Sequence, residues 1–345
     1  MADFVPNLMK QIVGKFPSGI LVFIILTSLS AIAVAQFRLP INDRFESPVP
    51  PQVFWGRDTT EKSIKVDNSI ILELCVAQGS VRVNGWNRSE VRVFVEDGNK
   101  FSFNIRDKDT RSGHPNWVNV VGYAGTKDKK GPTGDCISGN EIEIDIPVNA
   151  TIKLKGHDIN TTIDSIRKAE VKTGGGDISL RNIKGDISAF AGQGDIFIES
   201  STGPIAIEST TGNIVVFDVG PGELGDPFKA RTNSGTISLQ SVQHRQVDVG
   251  STSGSVSYSG SIRNGGRYNL FTVNGSIRMA IPPDSACKLS ATFGSGRFIS
   301  ELAFDLETEN NVGGPIKTIA GKYGKGGDAE VKLTASYGSI SVRKL

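Results

Sequence analysis

The chain has 345 residues, a formal net charge of +2 and 38% hydrophobic residues, enough for a sizeable core. This near-neutral balance gives no electrostatic reason to expect a nucleic-acid partner. The 40 glycines are not spaced as Gly-X-Y, which excludes collagen.

The first 35 residues have the pattern of an export signal. Lys10 and Lys15 form a basic start, residues 20–35 are an uncharged and mostly apolar run, and Ala33-Val34-Ala35 fits the small-x-small cleavage rule. The sequence therefore predicts a signal peptide over 1–35 and an exported product in the periplasm, on the cell surface or secreted. An uncleaved membrane anchor is the alternative, although the run is shorter than the roughly 20 residues that span a bilayer.

The mature chain divides into a linker and one long domain. Residues 36–61 contain four prolines and few periodic apolar residues, which predicts an extended linker. The domain then covers 62–345, with strands and loops over 62–140 and repeats over 141–345. Period-two alternation predicts strands at 64–76, 80–83, 91–95 and 101–105, and charged or Gly-rich loops are predicted after them at 107–116 and 126–139.

Beyond residue 141 a short unit recurs: Gly, then a small or polar residue, then Ile or Val. Five copies follow one another at intervals of nine residues, and four later copies have intervals of 23, 19, 21 and 63, the last being three times 21. A fixed internal period is the mark of a repeat architecture. The glycines of these copies are Gly176, Gly185, Gly194, Gly203, Gly212, Gly235, Gly254, Gly275 and Gly338.

The repeat unit predicts the architecture. Segments such as Ile178-Ser179-Leu180 make one short strand, and the glycine permits a bend that a Cβ would obstruct. A nine-residue unit cannot bury its apolar face alone, but stacked units bury Ile over Ile. Two units per coil come close to the later intervals of 19–23, so the sequence predicts an all-β solenoid of the single-stranded β-helix type with minimal helix. An antiparallel meander of nine-residue hairpins is the alternative.

The cysteines fall into two groups. Cys75 shares a strand face with Glu73 and Cys136 lies in a polar loop, so a disulfide between them is favoured in an oxidising compartment. A second self-similarity, at a constant offset along the chain, aligns Ile146-Pro147 with Ile281-Pro282 and places Cys287 where the first copy has Ile152. Cys287 is therefore expected to be a small buried hydrophobe.

The chain resembles the bacterial β-strand-repeat family named "putative adhesin", a domain of unknown function. The resemblance rests on the segment 72–93 with its Gly79-Ser80-Val81 turn, the strand end Ile146-Pro147 and the run of Gly-Asp-Ile units, and it covers roughly 64–345. It implies a right-handed β-solenoid outside the cytoplasm and provides no catalytic residues to carry over. The long loops over 107–139 depart from the family pattern.

The acidic series Asp177, Asp186 and Asp195 is the strongest candidate for chemistry. On a coil of two units Asp177 and Asp195 stack one strand spacing apart, roughly 4.8 Å. Stacked carboxylates at turns bind calcium in nonapeptide β-rolls, but those use Gly-Gly-x-Gly-x-Asp, and the later units here carry Pro204 and Asn213 instead of Asp. Capping of the turn is therefore favoured over a calcium site at Asp177 and Asp195.

Catalysis is not supported. A polysaccharide-cleaving β-helix enzyme is the enzymatic alternative, with Asp158, Asp164 and Arg167 as its candidate site. The sequence contains no G-x-S-x-G elbow and no phosphate-binding G-x-x-x-x-G-K-[ST]. There are only three histidines, His114, His157 and His244; His114 and His244 are interpreted as surface residues and not as bases, and no cofactor is predicted.

Binding is favoured indirectly. A solenoid exposes hydroxyl-rich segments such as 199–202 and 208–211, which suit a surface glycan or an envelope protein through many weak hydrogen bonds. The simpler interpretation is that these hydroxyls only solvate turns. The sequence thus favours an exported, non-catalytic, adhesin-like scaffold, with a periplasmic structural or sensory accessory domain as the alternative, held at the membrane only if the signal is uncleaved.

Overall fold

The computed structural model describes residues 58–123, 136–310, 316–325 and 327–345. The predicted signal peptide, the linker up to residue 57 and most of the loop before Cys136 lie outside these residues. The described chain forms 25 strands in one hydrogen-bonded sheet and contains no helix, which confirms the all-β prediction. In this part of the chain no helix is long and apolar enough to cross a membrane.

The first seven strands build the N-terminal end. β1 pairs with β3 from Thr59 onward, so the first strand begins inside the segment 36–61 that was predicted as linker. The predicted boundary is too late because β1 is mostly exposed and lacks the apolar alternation that was used to place it. β2 and β7 are long, parallel and paired along most of their length. The strands are β1 (Thr59–Lys65), β2 (Ile71–Trp86), β3 (Glu90–Glu96), β4 (Phe101–Lys108), β5 (Pro115–Gly122), β6 (Glu141–Pro147) and β7 (Thr151–Asp164).

Fourteen strands of the repeat region form two parallel ladders, and the chain alternates between them. Ladder A consists of β8 (Lys168–Gly175), β10 (Ile187–Gln193), β12 (Ile205–Thr211), β14 (Pro227–Ser234), β16 (Gln246–Ser253), β18 (Arg267–Asn274) and β24 (Glu330–Tyr337). Ladder B consists of β9 (Ile178–Arg181), β11 (Ile196–Thr202), β13 (Ile214–Gly220), β15 (Ile237–Val242), β17 (Val256–Ser259), β19 (Ile277–Ile281) and β25 (Ile340–Lys344).

Two nine-residue units make one repeat, as the spacing predicts. Ile178 is the register partner of Ile196, which is the partner of Ile214. These side chains and the next inward position, such as Leu180, are buried. The meander alternative is wrong for this region because the pairs are parallel. Inward-facing apolar residues of both ladders form one continuous core.

The C-terminal end does not continue the ladders with equal repeats, although the last interval of 63 residues is three times 21. β24 lies between β18 and β20, and β25 lies between β19 and β21. Between the end of β19 and the start of β24 the chain therefore forms one outer pair of strands and an antiparallel hairpin. The four strands are β20 (Cys287–Phe293), β21 (Phe298–Ser300), β22 (Phe304–Asn310) and β23 (Lys317–Tyr323).

The cysteines lie at opposite ends of the domain. Cys75 in β2 and Cys136 form a disulfide with their Cα atoms 4.5 Å apart, the pair that the sequence favours. The bond joins β2 to the segment whose Ile137 bridges Val76. Cys287 opens β20, is fully buried and has a free thiol. Burial raises the pKa of this thiol to about 11, so it stays protonated at neutral pH.

The two connections of the repeats differ in how constant their length is. The turn from ladder A to ladder B, here called the glycine corner, always separates stacked positions by nine residues, as from Ile205 to Ile214 and from Val331 to Ile340. The turn from ladder B back to ladder A, here called the return corner, has the same spacing in the first repeats but is five positions longer between Ile214 and Phe228. All variation in spacing among β8–β19 therefore comes from the return corner.

Candidate functional site

The glycine corner uses its polar side chains internally. The backbone N–H of Asp195 donates to Oδ1 of Asp177 over 2.8 Å, and the N–H of Asn213 donates to Oδ1 of Asp195 over 2.7 Å. The same contact continues from Thr236 to Oδ1 of Asn213 over 2.9 Å. Each side chain thus caps the turn of the next repeat, the role that the sequence favours for Asp177 and Asp195. Calcium binding by this pair stays a prediction. Asp186 lies instead at the return corner, where it pairs with Lys168.

A second column of side chains supports the same corner from inside. Thr232, Ser251 and Thr272 are buried, and their hydroxyls donate to the carbonyls of Gly212, Gly235 and Gly254 over 3.0, 2.8 and 2.7 Å. Ser209 belongs to the same column and donates to the carbonyl of Gly194 over 3.1 Å. Ser201 lies instead at the return corner, where it donates to the carbonyl of Glu199 and accepts the backbone N–H of Ile183, and both serines are only 1% exposed. The expectation of fully exposed hydroxyl segments is therefore wrong in part: alternate residues point inward, where a hydroxyl satisfies a carbonyl that no strand pairing reaches.

The residues proposed for an enzymatic site are not brought together. Asp158 is exposed at the glycine corner, where it is the register partner of Gly175, whereas Asp164 is the partner of Arg181 at the other end of the next strand pair, beside the return corner. Asp164 accepts a hydrogen bond from Asn182 over 3.0 Å and pairs with Arg181 at 3.4 Å. Arg167 lies beyond Asp164 at the return corner. The described residues contain no group of three or more His, Cys, Asp or Glu side chains placed to hold a metal ion.

Only the first copies of the return corner contain the glycine unit, at Gly185 and Gly203. A loop over 220–226 follows β13 and is closed by Asp226, whose carboxylate accepts the backbone N–H groups of Gly222 and Glu223 over 2.9 and 2.8 Å. Leu224 at the tip of this loop is 82% exposed. An insertion on a rigid ladder is a common place for binding residues.

A groove of about 520 Å³ lies along this corner, across four consecutive repeats. Its lining combines hydroxyl, amide, carboxylate and guanidinium groups, and Leu224 adds an apolar edge. We call this feature the corner groove. Its lining residues are Ser200, Ser201, Thr202, Asp218, Gly220, Pro221, Leu224, Gly225, Gln243, Arg245 and Arg263.

Two buried tyrosines hold the segments that carry the groove arginines. Tyr268 accepts the backbone N–H of Arg263 over 2.8 Å and donates to the carbonyl of His244 over 3.3 Å. Tyr258 donates to the carbonyl of Ser261 over 3.0 Å. Burial raises the pKa of both phenols, so both keep their protons for these contacts. The backbone beneath Arg245 and Arg263 is therefore fixed from the core side.

His244 is the clearest error of the sequence interpretation. It is fully buried, not a surface residue, and its Nε2 lies 2.8 Å from the carbonyl of Gly203. Its Nδ1 has no hydrogen-bond partner in the described structure. Burial lowers the pKa of the imidazole, although the Gly203 carbonyl and Asp226 oppose this. The neutral ring, donating from Nε2, anchors the segment between Gln243 and Arg245. His114 is exposed, as predicted, and His157 is exposed as well.

An apolar patch on the outer face of ladder B adjoins the groove. Val215 is the register partner of Phe197, and Val215 and Phe217 are each 39% exposed. Phe217 directly precedes Asp218 of the groove, so the polar lining continues into an aromatic surface.

Ser200, Ser201 and Thr202 belong to the hydroxyl-rich segment 199–202 that the sequence indicates for binding, whereas the other groove residues were missed because they belong to no motif. The available signal was the change of interval from two nine-residue units to 23, 19 and 21, which marks where the repeat receives insertions. Assigning those extra residues to one corner requires the strand register, because the intervals alone do not say which of the two turns is longer.

Comparison with known proteins finds similar solved structures, whereas no family model and no curated protein matches the chain. A structure described as a "putative lipid binding protein" from Parabacteroides distasonis is 10% identical, with a TM-score of 0.41, covering 84% of this chain and 97% of that one. "Putative adhesin" structures from Bacteroides fragilis and Parabacteroides distasonis are 12% and 11% identical, with TM-scores of 0.39 and 0.31 and the same coverages. Two of these three structures carry the description "putative adhesin".

Proposed function

We propose that this protein is an exported, non-catalytic, right-handed β-solenoid that binds a glycan of the cell surface or envelope at the corner groove. The solenoid is supported by the two parallel ladders, between which the chain alternates, and by the register step of 18 residues from one strand of a ladder to the next in the first repeats. The observation that carries the binding site is a polar groove whose backbone is fixed from below by Tyr258, Tyr268 and His244. A site fixed before binding loses less entropy when the ligand arrives.

The mixture of groups in the groove fits a polyhydroxylated ligand. Asp218 and Gln243 accept hydrogen bonds from sugar hydroxyls, and Thr202, Arg245 and Arg263 donate to sugar oxygens. The adjoining ring of Phe217 offers a flat apolar surface to the C–H face of a sugar ring. Such a pairing of an apolar surface with a few convergent polar groups is typical of ligand sites.

Binding is tested by calorimetric titration of the purified protein with a panel of soluble polysaccharides. Gln243→Ala and Phe217→Ala weaken binding of a polysaccharide that the native protein binds. Phe190→Ala is the matched control, since Phe190 is a half-buried phenylalanine on the outer face of ladder A. Absence of any bound polysaccharide, or equal weakening by the control, overturns glycan binding at this groove. Release of reducing ends during incubation overturns the non-catalytic assignment.

Location is tested by protease shaving of intact cells, following the mature protein. Digestion on intact cells supports a surface scaffold. Protection until the outer barrier is opened favours the periplasmic accessory role instead, and recovery of the uncleaved chain in the membrane fraction overturns the predicted signal cleavage.

A further inference from the structure

The two arginines of the corner groove have no counter-ion among the residues that the structure describes. Arg245 and Arg263 are exposed, and neither forms an ion pair with any described residue. Other cations of the repeat region do: Lys168 pairs with Asp186, and Arg231 pairs with Asp248 at 2.6 Å. Arg278 on the outer face of ladder B is also exposed without an ion pair to a described residue, so the distinguishing feature of Arg245 and Arg263 is that both line one concave surface.

The groove also holds one of these arginines in place. Arg263 Nη2 donates to Oε1 of Gln243 over 2.9 Å, which ties its guanidinium to the neighbouring repeat. This contact uses one of five donors, so the others remain for a ligand. A guanidinium presents paired donors that match the geometry of a carboxylate or a sulfate.

We propose that the ligand of the corner groove is an acidic glycan, whose carboxylate or sulfate is bound by Arg245 and Arg263. This inference rests on the proposed function and adds a charge requirement to it. Asp218 argues against a densely charged polyanion, because its carboxylate repels closely spaced phosphates and accepts hydrogen bonds only from donors such as hydroxyls. A chain that carries both hydroxyls and spaced anionic groups satisfies Asp218 and the arginines together.

The return corner extends this surface along the repeats. Arg167 and Lys184 occupy it in two earlier repeats, are exposed and form no ion pair with a described residue. Five steps of roughly 4.8 Å separate the repeat of Arg167 from that of Arg263, about 24 Å. The path suits a polymer more than a single sugar.

The test compares polygalacturonate, a sulfated dextran and neutral dextran in salt titrations with the purified protein. Arg245→Gln and Arg263→Gln each weaken binding of the acidic polymer about tenfold or more, the effect of losing one charge-assisted hydrogen bond in a site of this kind. Arg278→Gln, which removes the same charge from an exposed site on the outer face of ladder B, leaves binding unchanged. Melting temperatures stay within a degree or two, since neither groove arginine has an ion pair to lose.

The outcomes separate the two proposals. Binding of polygalacturonate without neutral dextran, or of sulfated dextran without neutral dextran, supports the charge requirement. Which of the two acidic polymers binds shows whether a carboxylate or a sulfate is preferred. Equal binding of neutral dextran, with no loss in the arginine variants, overturns the charge requirement and leaves glycan binding intact. Failure to bind any of the three polymers, or binding of single-stranded DNA with the same arginine dependence and higher affinity, overturns the acidic-glycan proposal.

Discussion

The two corners of each repeat follow opposite rules. The glycine corner keeps a constant nine-residue spacing, and its Asp, Asn, Ser and Thr side chains bond to the backbone of the neighbouring repeat. The return corner varies in length, and exposed Arg245 and Arg263 there have no ion-pair partner in the described chain. The polar side chains of the glycine corner are thus used structurally, whereas the return corner has structural contacts such as those of Asp226 and also carries arginines that are available to a ligand.

The difference shows how a repeat scaffold separates stability from binding. One regular corner is enough to fix the register of both ladders, because each stacked position at the other corner is set by strand pairing. The second corner is then free to receive insertions. Departures from the repeat rule are therefore where a binding site is expected, and the corner groove lies at such a departure.

The largest expected effect comes from adding a methyl group at the glycine corner. Gly194 has φ of +138°, and a Cβ there would lie 2.2 Å from the carbonyl oxygen of Gly176 in the neighbouring repeat. Since backbone cannot move aside locally, we expect Gly194→Ala to lower the free energy of unfolding by about 3 kcal/mol or more. Urea denaturation measures the change.

Gly225→Ala is the matched control at the other corner. Gly225 also has a positive φ, of +101°, but a Cβ there meets no atom within 4 Å. Only the conformational strain remains, about 1 kcal/mol. Equal costs at the two positions would contradict the distinction between the corners.

The regular part of this fold was predictable and the irregular part was not. Two nine-residue units per repeat followed from the spacing of Gly176, Gly185 and Gly194, because stacking alone buries their Ile side chains. The insertion of β24 and β25 between earlier strands was not predictable, since the long interval before Gly338 fits either three repeats or one excursion. The choice depends on which edges remain unpaired, which is a property of the whole fold.

The candidate site shows the same division. The capping role of Asp177 and Asp195 followed from the turn chemistry of Gly-Asp. His244 was taken as a surface residue because Gln243 and Arg245 on either side are polar, whereas the connection from β15 to β16 folds its ring beneath the groove. A single buried polar residue within a polar stretch leaves no periodic signal.

The pH dependence of the free energy of unfolding tests whether His244 is buried at the return corner. The pKa of His244 lies below its value of about 6.5 in an unfolded chain because burial disfavours the imidazolium. Well above pH 6.5 the imidazole is neutral in both the folded and the unfolded protein, so its contribution to the free energy of unfolding is constant. As pH falls below 6.5 the unfolded state gains the proton first, so unfolding becomes easier by up to about 1.4 kcal/mol per pH unit until the folded pKa is reached.

We expect His244→Gln to lack this part of the decrease in the free energy of unfolding at low pH. Urea denaturation of the native protein and the variant at several pH values from 8 to 5 measures the difference. The exposed His114→Gln is its control and retains the native dependence. An unchanged slope in His244→Gln would show that other groups cause the acid sensitivity.

A smaller effect tests the hydroxyl column behind the glycine corner. Thr272 is fully buried and donates to the carbonyl of Gly254 over 2.7 Å. Thr272→Val keeps the shape but leaves that carbonyl without this donor, so we expect a loss of about 1–2 kcal/mol. Thr210→Val, at an exposed position, should change the free energy of unfolding by less than about 0.5 kcal/mol.

The smallest expected effect separates turn capping from calcium binding at the glycine corner. Oδ1 of Asp195 accepts the backbone N–H of Asn213 over 2.7 Å, and Asp195→Ala removes this cap at a cost of about 1 kcal/mol. Asp195→Asn keeps a neutral acceptor at the same position and should recover most of that loss, because a cap needs an oxygen and not a charge. A calcium site needs the charge, so with calcium present the native protein would melt higher, EDTA would reverse the shift, and Asp195→Asn would abolish it. Melting curves of the three proteins with and without calcium decide between the two, since capping predicts that only Asp195→Ala differs and that calcium changes none of them.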